Sequence, residues 1–133
     1  MGKIEVVLSK IKVDENRNEQ IIVFKEKEGS RFLPVVIGIA EVNAIKLKLS
    51  GINPPRPLTH DLLLSSIQSL GASLKYILID KLENNTFYAK LILARNGEEV
   101  IVDARPSDSV ALALRADAAI FVAEDVLNKA SLS

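Results

Sequence analysis

The same plan occurs twice along this chain, and that repetition limits its possible folds more than any other feature. Residues 3–13 (KIEVVLSKIKV), 20–27 (QIIVFKEK) and 31–38 (RFLPVVIG) are rich in β-branched and aliphatic residues, separated by the turn formers DENRNEQ and KEGSR. Each reads as a strand. Pro34 cannot donate to a hydrogen-bond ladder, so the third strand is expected at an edge or a bulge. A helix over residues 40–50 follows, with Val42, Ile45 and Leu49 on one face, Lys46 and Lys48 near its negative end, and Gly51 as its stop. NPPRP breaks the chain, and a second helix over 59–70 ends at Gly71. The plan then returns. SLKYILIDKL, FYAKLILA and EVIVDA read as strands joined by ENNT and RNGEE, and SDSVALALRA reads as the helix that follows them. AIFVA is a last strand and EDVLNKA a terminal helical turn or two. Two units of a three-strand meander and a helix, roughly residues 1–51 and 72–118, predict a single α+β domain with mainly antiparallel sheets.

Composition narrows the function classes. The chain has 133 residues, 48% of them hydrophobic and 26% charged, which suits one globular core and excludes a disordered chain. Its longest apolar runs, Val110 to Leu114 and Ala118 to Ala123, are far below the roughly 20 residues that a bilayer requires, so no membrane span is expected. MGKIEVVLSK has no signal-peptide core, and Val6 stands where a myristoylation motif needs Ser or Thr. The absence of cysteine rules out disulfides and thiolate chemistry and fits the cytoplasm. Lysine plus arginine is 17 and aspartate plus glutamate is 17. That balance argues against a passive nucleic-acid coat, because counterion release rewards a basic excess. It allows an enzyme that touches a few phosphates.

Two helices depart from the ordinary amphipathic pattern. SDSVALALRA is apolar or small nearly all round, which marks a helix buried on most sides. The helix 59–70 carries no charge after Asp61, and its polar face is Ser65, Ser66, Gln68 and Ser69. Interfaces are depleted in charge at their centres, so this helix is a candidate contact in a homo-oligomer; an ordinary solvated face is the alternative.

The candidate chemistry lies in PRPLTHDL and DARPSDS. Each puts an arginine, Arg56 or Arg105, just outside a helix N-terminus, where free N–H groups favour an anion such as phosphate. Thr59 and Ser107 are expected N-caps, and Asp61 and Asp108 are expected in the first turns; capping alone accounts for both stretches. Combined, they suggest a site. A bare phosphate would be repelled by the carboxylates, so phosphoryl chemistry here calls for a cation between them. Asp61, Asp103, Asp108 and Glu41 offer oxygen ligands suited to Mg²⁺ or Mn²⁺, with His60, the sole histidine, as base or further ligand. No organic-cofactor motif is present, and with 5% aromatic residues a base-stacking platform is not expected.

LPVVIGIAEVNAI (33–45), PRPLTHDLL (55–63), NTFYAKLIL (85–93) and DARPSDSVALALR (103–115) followed by IFVAEDVL resemble the bifunctional nuclease domain family, also catalogued as a domain of unknown function. Ala119 stands where the family often has proline before IFV. The resemblance implies an α+β fold with internal duplication, an oligomeric assembly, and nuclease activity on DNA and RNA. By position it implies Glu41, Arg56, Thr59, His60, Asp61, Asp103, Arg105, Ser107 and Asp108 as motif residues. The expected roles are His60, Asp61 and Asp108 in catalysis, Arg56, Arg105, Thr59 and Ser107 on substrate, and the four carboxylates on metal. The rival expectation is a non-catalytic oligomeric binding or regulatory domain in which these residues are caps and ion pairs.

Overall fold

Alternation of apolar and polar residues builds a sheet with one face turned to helices. The computed structural model describes residues 2–14, 16 and 19–132. Its strands are β1 (Lys3–Asp14), β2 (Glu19–Glu26), β3 (Phe32–Ile37), β4 (Ser73–Glu83), β5 (Thr86–Arg95), β6 (Glu98–Ala104) and β7 (Ala119–Ala123). The helices are α1 (Ile39–Leu49), α2 (Thr59–Ser69), α3 (Pro106–Ala116) and α4 (Glu124–Ala130). The expected turn DENRNEQ lies largely outside the described residues.

All seven strands form one sheet in the order β3-β2-β1-β7-β4-β5-β6. Every pairing is antiparallel except β4 with β7. The two meanders therefore run outward from a shared central strand, and each is followed by its helix, α1 or α3. Pro34 sits on β3, an edge strand as expected. The tight turns have a physical cause. Asn84 and Asn85 (φ 53° and 61°) join β4 to β5, and Asn96 and Gly97 (φ 51° and 80°) join β5 to β6. Two consecutive left-handed residues suit the right-handed twist of a hairpin, and Asn and Gly bear them at least cost.

Ile22, Phe24, Leu33, Val35, Ile77, Ile79, Ala89 and Leu91 form the sheet side of the core. α3 packs against α1 and α2 and lies on β4, β5 and β7. Its Val110, Ala111, Leu112 and Ala113 are buried, so the helix read as apolar all round is the central one. In α1, Val42 and Ile45 are buried while Leu49 is exposed. Gly51 and Gly71, at φ 77° and 84°, follow α1 and α2 as stops.

Candidate active site

Three helix N-termini meet at one place. Glu41 is in the first turn of α1, His60 in that of α2, and Asp108 in that of α3, preceded by Arg105 as N-cap. His60 Nε2 donates to Asp108 Oδ1 at 2.9 Å. An ionised carboxylate only accepts, so Nε2 carries the hydrogen and Nδ1 is the basic position of the neutral ring. Arg105 Nε lies 3.5 Å from Asp108 Oδ2, and its Nη2 lies 3.5 Å from Glu41 Oε1. The result is a chain of contacts, Glu41–Arg105–Asp108–His60. The His60 side chain is 15% exposed and that of Asp108 33%, whereas Arg105 is 73% exposed. The dyad is held, and the arginine can move at little cost.

Clefts lie on both sides of this chain. One of about 380 Å³ is lined by Glu41, Asn43, Leu47, Thr59, His60 and Asp108. The other, of about 530 Å³, is lined by Gly38, Glu41, Thr86, Phe87, Arg105 and Ser107, among others. Glu41 belongs to both.

Asp61 turns away from this group. Its Oδ1 accepts from Arg115 Nε at 2.7 Å and its Oδ2 from the Leu58 N–H at 2.9 Å. First the Leu58 N–H and then the Arg115 guanidinium hold its carboxyl below the usual aspartate range. Arg115 is only 6% exposed and also donates to the carbonyls of Ala111 and Ala44, so it ties α3 to α2 and α1. Arg56 lines a separate pocket of about 330 Å³ with Lys48, Asp61 and Arg115.

Several expectations change here. The N-cap of α2 is Leu58 and not Thr59, and that of α3 is Arg105 and not Ser107. At α2 the reason is Asp61, which satisfies the free Leu58 N–H from the third helical position and leaves no need for a threonine cap. At α3, Pro106 takes the first helical position, where its missing N–H costs nothing, and pushes Ser107 inside. Asp103 stands on β6, 81% exposed, and pairs with Lys90 on β5 at 3.1 Å rather than with Arg105. Arg115 was not singled out from sequence, although a lone arginine in a helix otherwise apolar must find a partner.

The four carboxylates do not make a ready cation site. Both oxygens of Asp61 are engaged, Asp103 is bound to Lys90, and Glu41 and Asp108 bracket a guanidinium. Among the described residues no group of three or more His, Cys, Asp or Glu is placed to hold a metal. Mg²⁺, which demands near-octahedral oxygen ligation, does not fit this donor set.

Residues 22–133 match the family described as the bifunctional nuclease domain. The chain belongs to that family. Two relatives of this bifunctional nuclease domain, from two strains of Mycobacterium tuberculosis and named as uncharacterized proteins, are each 48% identical over 132 residues, spanning 99% of this chain and 77% of theirs. A rice protein named bifunctional nuclease 1, from Oryza sativa subsp. indica, is 26% identical over 110 residues, 79% of this chain and 33% of the rice protein. No helix among the described residues of the domain is long and apolar enough to cross a membrane.

Proposed function

We propose that this domain hydrolyses phosphodiester bonds of DNA and RNA, with His60 moving the proton. The observation that carries the reading is the 2.9 Å bond between His60 and Asp108, made across 48 residues of sequence at the meeting of three helix N-termini. Asp108 fixes the tautomer of the ring and stabilises the imidazolium that forms. Nδ1 takes a proton from water as its oxygen attacks phosphorus; the bond from phosphorus to the leaving sugar oxygen breaks, and the imidazolium returns a proton to that oxygen. Arg105 leaves its long contacts with Glu41 and Asp108 for the phosphate, and the positive ends of the three helices offset the carboxylates nearby. Arg56, Thr59 and Ser107 supply further contacts to the backbone of the substrate. No step passes through a cation. We also infer a cytoplasmic setting and assembly with further copies of the chain through α2, whose face is uncharged beyond Asp61.

The test is hydrolysis of single- and double-stranded DNA and RNA by protein from a nuclease-deficient host, with the variant His60→Ala, Asp108→Ala purified in parallel. Loss of activity in the double variant supports the site, and unchanged activity assigns it to a contaminant. A second reading, a non-catalytic binding domain, is favoured by one observation, the closure of Asp61 on Arg115 and Leu58. It predicts that neither preparation is active.

A further inference from the structure

One cleft lies outside the His60 site and gathers positive charge. It has a volume of about 330 Å³ and is bounded by the last turn of α1, by residues 52–57 and by one face of α2. Lys48, Arg56 and Arg115 line it with one carboxylate, Asp61, which leaves two positive charges in excess in a chain whose net charge is zero. The cleft beside His60, by contrast, has Glu41 and Asp108 in its wall and no lysine or arginine among the described residues. Leu47 lines both, so the two clefts adjoin.

The charged groups of this cleft differ in what they are free to do. Asp61 has both oxygens engaged, by Arg115 Nε and by the Leu58 N–H. Arg115, only 6% exposed, forms the covered part of the wall. Its Nη1 and Nη2 each give one hydrogen to a carbonyl, that of Ala111 or Ala44, and each carries a second. The side chains of Lys48 and Arg56 are exposed and make no ion pair or hydrogen bond with any described residue. Arg56 stands between Pro55 and Pro57, so its backbone is restricted before a ligand arrives and less freedom is lost on binding. Ser65, one turn after Asp61 on the same face of α2, adds a hydroxyl. The negative end of α1 would oppose an anion here, but its last carbonyls are occupied. The Ser50 hydroxyl donates to Leu47 O, the Ser50 N–H to Lys46 O and the Gly51 N–H to Lys48 O.

We propose that this cleft binds a phosphate monoester, at the end of a nucleic-acid strand or on a free nucleotide. Charge selects the class of ligand: a monoester carries about 1.5–2 negative charges at neutral pH, which matches the excess, whereas a phosphodiester carries only one. Access selects it too. Arg115 is almost wholly covered, so a phosphate with a sugar on one side only reaches it with three free oxygens, while one inside a strand brings a second sugar against the same wall. The proposal gives the substrate contact assigned to Arg56 a definite ligand, a phosphate that is not cut, and rests on that reading for Arg56 alone; binding needs no cleavage.

The test uses the full chain and ligands that hold no bond for it to hydrolyse. Adenosine 5′-monophosphate, adenosine 3′-monophosphate and adenosine are titrated by calorimetry. At least one monophosphate is expected to bind and adenosine is not. Lys48→Gln and Arg56→Gln, both at exposed positions where the Tm should hold, are each expected to weaken binding about three- to tenfold. Cleavage-resistant phosphorothioate oligonucleotides ending in phosphate or in hydroxyl distinguish the two sources. An affinity that depends on the end phosphate identifies a strand end, and one that does not, beside a bound monophosphate, identifies a free nucleotide. The proposal is overturned if neither monophosphate binds at millimolar concentration, if adenosine binds as well as they do, or if Lys48→Gln with Arg56→Gln leaves their affinity unchanged. Cleavage is scored separately. An inactive parent that binds a monophosphate refutes the proposed activity and leaves the cleft standing, and an active parent that binds none refutes the cleft alone.

Discussion

Arg115 Nε donates to Asp61 Oδ1 at 2.7 Å, joining α3 to α2 beside the residue, His60, that reaches Asp108. Neighbouring residues of α2 thus do different work: Asp61 holds the helix in place, and His60 faces the cleft.

The first prediction concerns that clamp. Asp61→Ala leaves a nearly buried guanidinium without its carboxylate, a loss of about 2–4 kcal/mol, or a Tm lower by on the order of 10 °C. Thermal melts of Asp61→Ala, Arg115→Ala and the double variant check this. The double variant is expected to lose less than the two single losses combined.

Acid stability has a named contributor. Glu26 lies with Oε1 2.9 Å from Arg31 Nη2, and its Oε2 accepts from the Arg31 backbone N–H at 2.9 Å. The side chain of Arg31, and then its N–H, lower the pKa of Glu26 from the ordinary 4.5 to about 2. A depressed carboxyl stabilises the fold fully above the unfolded value and loses that contribution as pH falls through the folded one. Melting temperature in the parent should therefore decline from pH 4.5 towards 2. In Glu26→Gln that part of the decline should be missing.

The proposed phosphate role of Arg105 predicts that the fold depends little on it, since it is largely exposed and its two ion pairs are long. Arg105→Ala should leave the Tm within about 1 °C, as exposed pairs contribute little. It should also make the logarithmic dependence of substrate affinity on salt shallower by about 0.7–0.9, the signature of one lost phosphate contact.

Chelation tests the donor set. Dialysis against EDTA should leave the melting temperature unchanged, because the carboxylates are already satisfied by arginine, lysine, histidine and a backbone N–H. A stabilising shift with Mn²⁺ that Glu41→Gln removes would show a cation site in its place.

Most of the architecture was readable because it is local. Strand and helix follow from period-two alternation, from Asn-Asn and Asn-Gly turns and from Gly51 and Gly71, all of which act within a few residues. What was not readable depends on partners far along the chain. Position in the sequence makes Thr59 and Ser107 look like caps, and only the reach of Asp61 back to Leu58 and the place of Pro106 move the caps to Leu58 and Arg105. The convergence of α2 and α3 was anticipated as an arrangement of acids around a cation. Instead, Arg115 captures Asp61 and Lys90 captures Asp103, leaving His60 and Asp108 as the pair in contact. The central parallel strand was equally hidden, since nothing in AIFVA says that it separates the two meanders.

The most direct measurement is the rate of nucleic-acid cleavage by Asp108→Asn against the parent across pH, with both proteins purified from a nuclease-deficient host and matched for melting temperature. Loss of the carboxylate that orients His60 is predicted to slow cleavage roughly 10²-fold or more. It should also change the limb of the pH profile that reports the ring. Equal rates and superimposable profiles would contradict the assignment of His60 and Asp108 as the reacting pair.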